Sequence, residues 1–243
     1  MKQKNFCLLI LGIVIIAMNS CNKADNVGNE DNRVLKVGTF PYDSLGIAHN
    51  LALRYALNEN LLEESSQTMY GEMTDELERN GIFENWPSFS FVDSVWSPIE
   101  NHIISDSSYS IAVCAYDLYS QGKINSIQLR WFVELDSIVN SNFGSASYST
   151  SIGTFESNLH ATSRLTTSQK DIILIASSIA KYSGEFWAEY ESSLKSVQYK
   201  WWQWGFIVGA DVAGGIGGAP GGVGGIIGGA ACCSALAMAI FSE

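Results

Sequence analysis

The stretch SQKDIILIASSIAKYSGEFWAEYESSLK, residues 168–195, carries apolar side chains at Ile172, Ile175, Ala176, Ile179, Tyr182, Phe186 and Tyr190. Steps of three and four place these residues along one side of an α-helix. Ser168 followed at the third position by Asp171 has the form of a capping box, which would open the helix at that serine. A helix with one apolar stripe needs neighbours to cover it, so this segment directs attention to what flanks it.

The flanks offer more helices. From Ser44, the residues Leu45, Ile47, Ala48, Leu51, Ala52, Tyr55 and Ala56 recur at the same spacing. A second helix begins at Ser65 or Ser66, carries Met69, Met73 and Leu77 on one stripe, and ends at Asn80-Gly81, where glycine suits a left-handed cap. Trp86-Pro87 breaks the chain, and Phe89 to Ser97 reads as a short extended piece before Pro98. Ile99–Gln121, Asn125–Asn140 and Ser151–Arg164 each suit a helix, with Ile127, Trp131, Leu135 and Ile138 the clearest stripe. The fold class that follows is all-α, a bundle of about five or six helices spanning residues 34–200.

Residues 201–243 differ in kind. After Trp201-Trp202-Gln203-Trp204 and Asp211 there is no charge until Glu243. Small residues recur at every fourth position along Gly205, Gly209, Ala213, Gly217, Gly221, Gly225, Gly229, Cys233 and Ala237, with a second row at Gly214, Gly218 and Gly222. On a helix these rows make shallow grooves that let another backbone approach closely, which is a glycine zipper. A single helix from Phe206 to Phe241 would run about 54 Å, against roughly 30 Å of bilayer hydrocarbon. Pro220 beside Gly221-Gly222 breaks it, so the expected form is a helical hairpin, Trp204–Ala219 and Gly222–Phe241, with the tryptophans at a membrane interface. The helix-packing residues expected are Gly205, Gly209, Gly217, Gly221, Gly225 and Gly229. Such a hairpin needs a partner surface, because glycine costs roughly 1 kcal/mol per residue in a helix. A membrane, a second copy, or the core of its own domain would each supply one.

At the amino end, Lys2 and Lys4 precede the apolar run from Phe6 to Ala17, the layout of a signal peptide. Met18-Asn19-Ser20-Cys21 follows and resembles a bacterial lipobox, although Asn19 departs from the usual small apolar residue. Residues 1–20 are thus expected to be removed, Cys21 to receive lipid, and residues 21–33 to serve as a polar tether. Ordinary secretion with cleavage nearby is the plainer alternative. The expected location is the cell envelope, lipid-anchored at the outer membrane.

The chain of 243 residues has 14 basic and 25 acidic residues and a net charge of −11, made more negative by loss of Lys2 and Lys4. With no basic cluster, nucleic acid is not an expected partner. Membrane lipid, through Cys21 and through the glycine tail, and a second copy of the chain are. Of five cysteines, Cys7 leaves with the signal and Cys21 is the lipid acceptor, so Cys114, Cys232 and Cys233 remain. Adjacent cysteines bridge each other only with strain. Buried thiols are the expectation for all three, with a bridge from Cys114 to one of the pair as the alternative. His49, His102 and His160 lack metal-ligand spacing. Gly215-Ile216-Gly217-Gly218 has neither a preceding strand unit nor a following Gly-Lys-Ser/Thr. No nucleophile elbow is present, and Glu76, Glu78, Glu185 and Glu189 read as solvated helix faces. No cofactor, metal or catalytic constellation is expected, and so no enzyme.

Phe40-Pro41-Tyr42-Asp43 with Gly46-Ile47-Ala48-His49-Asn50-Leu51-Ala52-Leu53, the segment Ala176 to Trp187, and the glycine tail together resemble uncharacterised lipoproteins of Bacteroidetes-type bacteria. The resemblance spans most of the mature chain and brings no established activity. It implies His49-Asn50 as a motif that organises the first helix. The tail alone is similar in composition and spacing to glycine-zipper segments of outer-membrane lipoproteins and of some glycine-rich bacteriocins and contact-dependent toxins. Three functions compete: an envelope lipoprotein whose tail inserts or self-associates, an antibacterial or pore-forming toxin, and a binding module with the tail in its core.

Overall fold

Tyr42 is the first residue described in the computed structural model, which covers residues 42–61, 64–82, 86–94, 97, 101, 110–193, 200–219 and 222–242. Their helices run in the order α1 (Asp43–Asn58), α2 (Ser66–Arg79), α3 (Ile111–Ser120), α4 (Ser126–Asn142), α5 (Tyr148–Ala161), α6 (Thr167–Ser193), α7 (Trp201–Gly218) and α8 (Gly222–Ser242). The all-α class is observed, with no strand among the described residues. The signal, the tether, Cys21, His102, Pro220 and Gly221 lie outside them.

Local signals explain most of the boundaries. Ser65 Oγ accepts from Thr68 N at 3.2 Å and opens α2, which closes where Gly81 takes φ 65°. Asn125 and Gln128 form a full capping box at α4, with Asn125 Oδ1 accepting from Gln128 N at 2.9 Å and Gln128 Oε1 accepting from Asn125 N at 3.0 Å. The opening of α6 differs from expectation. Thr166 Oγ1 accepts from Gln169 N at 3.3 Å and Gln169 Oε1 from Thr166 N at 3.0 Å, so the box is Thr166/Gln169 and Ser168 already lies inside the helix. Asp171 is spent elsewhere, accepting from Tyr42 Oη at 2.7 Å.

Two further expectations are corrected. Residues 89–94 are helical rather than extended, because Ser88 starts a turn by accepting from Phe91 N and Val92 points into the core. The helix expected over Ile99–Gln121 is interrupted at Ser110, and a new helix opens at Ile111; residues 99, 100 and 102–109 lie outside the described ones. Ser110 is extended there, and its Oγ caps the new start by accepting from Val113 N at 3.3 Å.

The core is built around the glycine-rich segment. α7 packs on α8 and α6 and also meets α3 and α4, while α8 reaches α1 and α2. Ile207, Val208, Ala210 and Val212 of α7 and Ala230, Ala231, Cys232, Cys233 and Ala237 of α8 are fully buried. Trp204, expected at a membrane interface, stacks between Phe143 and Trp187 at centroid distances of 5.8 and 5.7 Å inside the bundle. Burying several apolar side chains at about 1.5–3 kcal/mol each makes this segment a large contributor to stability. α6 is buried on more than its expected stripe: Ile173, Leu174, Ala180 and Trp187 are covered too, since neighbours enclose the helix from several sides. Among the described residues, no helix is both long and apolar enough to cross a membrane.

The glycines sort differently from a single four-residue row. α7 and α8 run antiparallel, with Gly214 against Gly229 and Gly218 against Gly225. A Cβ on Gly214 or Gly218 would overlap a carbonyl oxygen of the facing glycine, and the reverse holds as well. The seam on α7 is therefore the second row, Gly214 and Gly218. Gly205 and Gly209 turn the other way: Gly205 faces the Asn140 side chain of α4, and a Cβ on Gly209 would sit 3.0 Å from Ser110 Cα. Gly217 is half-buried. Gly225 and Gly229 lie on the α7–α8 seam. The physical reason is that α7 has neighbours on both sides and needs small residues on two faces.

Candidate functional site

Asn50, on the first helix, uses its amide to fix the residue before it. Nδ2 of Asn50 donates to the Tyr182 carbonyl of α6 at 2.8 Å, which leaves Oδ1 facing His49 Nδ1 at 3.1 Å. An amide oxygen only accepts, so Nδ1 of His49 carries a hydrogen, and in the neutral ring Nε2 is a bare acceptor. That nitrogen points into the bundle, where it lies 3.7 Å from Oδ2 of Asp211 on α7. Both side chains have no exposed surface.

α6 supplies the donors. Ser183 Oγ donates to Asp211 Oδ2, and Trp187 Nε1 approaches the same oxygen at 3.4 Å. Ser183 sits one turn before Trp187, so a single face of α6 presents both. From α8 the hydroxyl of Ser234 lies beside the carboxylate and favours its charged form, without completing a hydrogen bond of good geometry. Tyr148 of α5 closes the group: its hydroxyl donates to the Ala180 carbonyl at 2.6 Å, its ring fills the space left by Gly184, and burial above all pushes its pKa up. Helices α1, α5, α6, α7 and α8 thus converge on one buried carboxylate.

Electrostatics follow from the burial. Desolvation raises Asp211 from 3.8 to about 7, against the opposing pull of Ser183, Ser234 and Trp187. Desolvation lowers His49 from 6.5 to about 4, opposed by the Asn50 contact. Three buried atoms, His49 Nε2, Asp211 Oδ1 and Ser234 Oγ, make no hydrogen bond to any protein group.

Serine, histidine and aspartate meet here, but not in a nucleophilic order. Ser183 donates to the carboxylate, and histidine approaches that same carboxylate, so no imidazole stands ready to take the serine proton. What the group can do is hold, move or lose a proton inside a low-dielectric core.

A second polar group lies nearer the surface. Ser177 Oγ donates to Glu156 at 2.7 Å, Lys181 reaches Asp43 at 3.3 Å, and burial raises the Glu156 pKa. It ties the start of α1 to α5 and α6. A surface depression between α1 and α6 is lined by Arg54, Leu57, Phe186 and Glu189, with Arg54 over the Phe186 ring and paired to Glu189 at 3.2 Å. Cys232 and Cys233 are buried and Cys114 is half-buried, and no disulfide joins them.

Of the residues singled out from sequence, the structure brings His49, Asn50 and the glycine hairpin together. The residue that completes the group, Asp211, stands out in the sequence as the last charge before Glu243. That isolation is the sequence signal: a lone carboxylate in an apolar segment must find polar partners or lose its charge. Ser183, Trp187 and Ser234 carried none. No protein-family model, no curated protein and no solved structure matches this chain.

Proposed function

We propose that the protein is a cell-envelope lipoprotein, attached through Cys21, whose helical domain is a binding or assembly module with the glycine hairpin as its own core. The observation that carries this reading is Asp211. A hairpin built for lipid has no use for a carboxylate served by the bundle, yet Ser183 and Trp187 of α6 donate to Asp211 and His49 of α1 stands beside it. The polar partners belong to the domain, and so does the hairpin.

The test compares a mature, non-lipidated chain with and without Trp201 to Glu243. Loss of the cooperative unfolding transition on truncation, together with a monomeric, detergent-free full-length form, is the expected result. Cys21→Ser should move the protein from the membrane fraction to the soluble one. Continued membrane fractionation of that variant would sink the reading and restore the tail as an independent anchor.

A second reading has one observation in its favour. The contact between α7 and α8 is made by their own glycine backbones, so the hairpin's internal packing would survive transfer into a bilayer. In that case the hairpin leaves the domain and inserts or self-associates, and the protein acts as a membrane-active effector or toxin against neighbouring cells. Unchanged growth of a broad panel of neighbours in contact with producing cells would count against it.

A further inference from the structure

We propose that Asp211 and His49 form a one-proton exchange site in the seam between the C-terminal hairpin and the bundle, with the proton on the Asp211 carboxyl while the hairpin is docked and on the His49 imidazole when it is released. Asn50 sets the state of the histidine. Its amide is oriented by the Tyr182 carbonyl, and its oxygen holds the hydrogen of His49 on Nδ1. A neutral His49 therefore turns a lone pair toward Asp211 across 3.7 Å. An ionised Asp211 would set two acceptors against each other in a core with no exposed surface at either side chain, an arrangement that costs free energy. One proton on Asp211 removes the buried charge, which is the larger part of that cost.

The proton has two possible seats. On His49 Nε2 it would make a buried ion pair, and 3.7 Å is too long for the charge-assisted hydrogen bond that such a pair needs to offset its desolvation. On Asp211 it leaves both groups neutral. Oδ2 already accepts from Ser183 and Trp187, and Oδ1 is the oxygen without a protein partner, so Oδ1 is the natural position for the hydrogen.

No fixed charge nearby decides otherwise. α1 presents His49 and Asn50, α6 presents Ser183 and Trp187, α5 presents the Tyr148 hydroxyl and α8 presents Ser234. The acidic side chains on the surrounding helices are Glu185, which acts on Tyr148, and Asp136 of α4, which accepts from the Asn140 amide facing Gly205; neither acts on Asp211. α3 meets α7 at Gly209 through Ser110 and Ile111, neither of which titrates.

The proton balance is closed. Released into water, an imidazole keeps its proton below about pH 6.5 and a carboxyl loses its proton above about pH 4. Docking transfers that proton from His49 Nε2 to Asp211 Oδ1, directly or through solvent, and none is gained or lost overall between those two pH values. Two consequences follow. The docked hairpin is uncharged from Phe206 to Ser242, because Asp211 is the one ionisable acid or base of Lys, Arg, Asp or Glu type in that span. Docking is also nearly indifferent to pH over the window in which either residue alone would make it strongly pH-dependent. The pair is a compensator and not a switch. The pair belongs to the docked fold, whatever the lipid anchor or binding partner.

Nuclear magnetic resonance of the full chain tests it without any substitution. Side-chain nitrogen shifts of His49 and the carboxyl carbon shift of Asp211 are followed from about pH 5 to pH 8. The expected result at pH 6 is a neutral His49 with its hydrogen on Nδ1 and a protonated Asp211, the carboxyl signal moving only near neutral pH. An imidazolium at pH 6, or an ionised Asp211 at that pH whatever the state of His49, would overturn the proposal. Asn50→Ala adds a second readout, a mixture of His49 tautomers where the parent shows one. A single unchanged tautomer in that variant would also overturn the proposal, since the assignment of the bare nitrogen rests on Asn50.

Discussion

His49 Nε2 and Asp211 Oδ2 stand 3.7 Å apart, on the first helix and on the helix of the glycine-rich tail, with neither side chain exposed. Their sequence separation is wide, yet the bundle delivers them to the same point and perturbs them in opposite directions. Asp211 is raised to about 7 and His49 lowered to about 4, each chiefly by burial.

Single substitutions should uncover the two opposing slopes. In His49→Gln only Asp211 remains. Its folded pKa lies above the unfolded 3.8, so its contribution is full below that value and is lost as pH rises through about 7, a fall of about 4 kcal/mol. In Asp211→Asn only His49 remains. Its folded pKa lies below 6.5, so its contribution is present above 6.5 and is lost as pH falls through about 4, a fall of about 3 kcal/mol. Urea unfolding midpoints from pH 4 to 8 should therefore tilt in opposite senses in the two variants and stay nearly level in the parent. Parallel slopes would contradict the assignment.

Ser183→Ala should cost more at high pH than at low. Its hydroxyl donates to Asp211 Oδ2, and an ionised carboxylate loses more than a neutral one when a donor is removed. The expected cost is about 1 kcal/mol where Asp211 is protonated and about 2–3 kcal/mol above neutral pH. Equal costs at pH 5.5 and 8.5 would show that the carboxyl keeps one state throughout.

The glycines should divide by surroundings. Gly218→Ala would drive a methyl group into the Gly225 carbonyl of α8, backbone against backbone, whereas nothing lies within 4 Å of a Cβ at Gly153 on α5. Thermal unfolding should show Gly218→Ala destabilised by about 2–3 kcal/mol or more, and Gly153→Ala stabilised by about 0.5–1 kcal/mol. A neutral Gly218→Ala would mean that α7 and α8 are not in close contact in solution.

Thiol chemistry reports on the docked hairpin directly. Cys232 and Cys233 are fully buried and burial pushes the Cys232 thiol up to about 12, so the reactive thiolate is scarce and inaccessible. Alkylation at pH 8, mapped by peptide mass spectrometry, should label both sites only as fast as the hairpin opens. Immediate labelling of the pair in the native protein would place the tail outside the core.

Particular residues show what the sequence makes legible. The helical class, and the approximate extents of α1, α2, α4 and α6, follow from apolar residues spaced by three and four and from capping side chains, which act within one turn of chain. The division between α7, ending at Gly218, and α8, starting at Gly222, follows instead from proline beside glycines in the sequence. What misled were signals of the same local range with a competitor close by. Thr166 outcompeted Ser168 for the cap, and Ser110 restarted a helix expected to run from Ile99.

The glycine tail marks the boundary between what sequence alone determines and what it does not. A four-residue step of small side chains determines that another backbone can come close. It does not determine which backbone, because membrane, second copy and own domain offer the same smooth surface to a glycine face. The tertiary structure decided that, setting Gly214 and Gly218 against α8 and Gly205 and Gly209 against α4 and the start of α3. It also decided the state of Asp211, since a pKa depends on water excluded and donors supplied by five helices. Those contacts act across the fold, and periodicity along the chain carries no record of them.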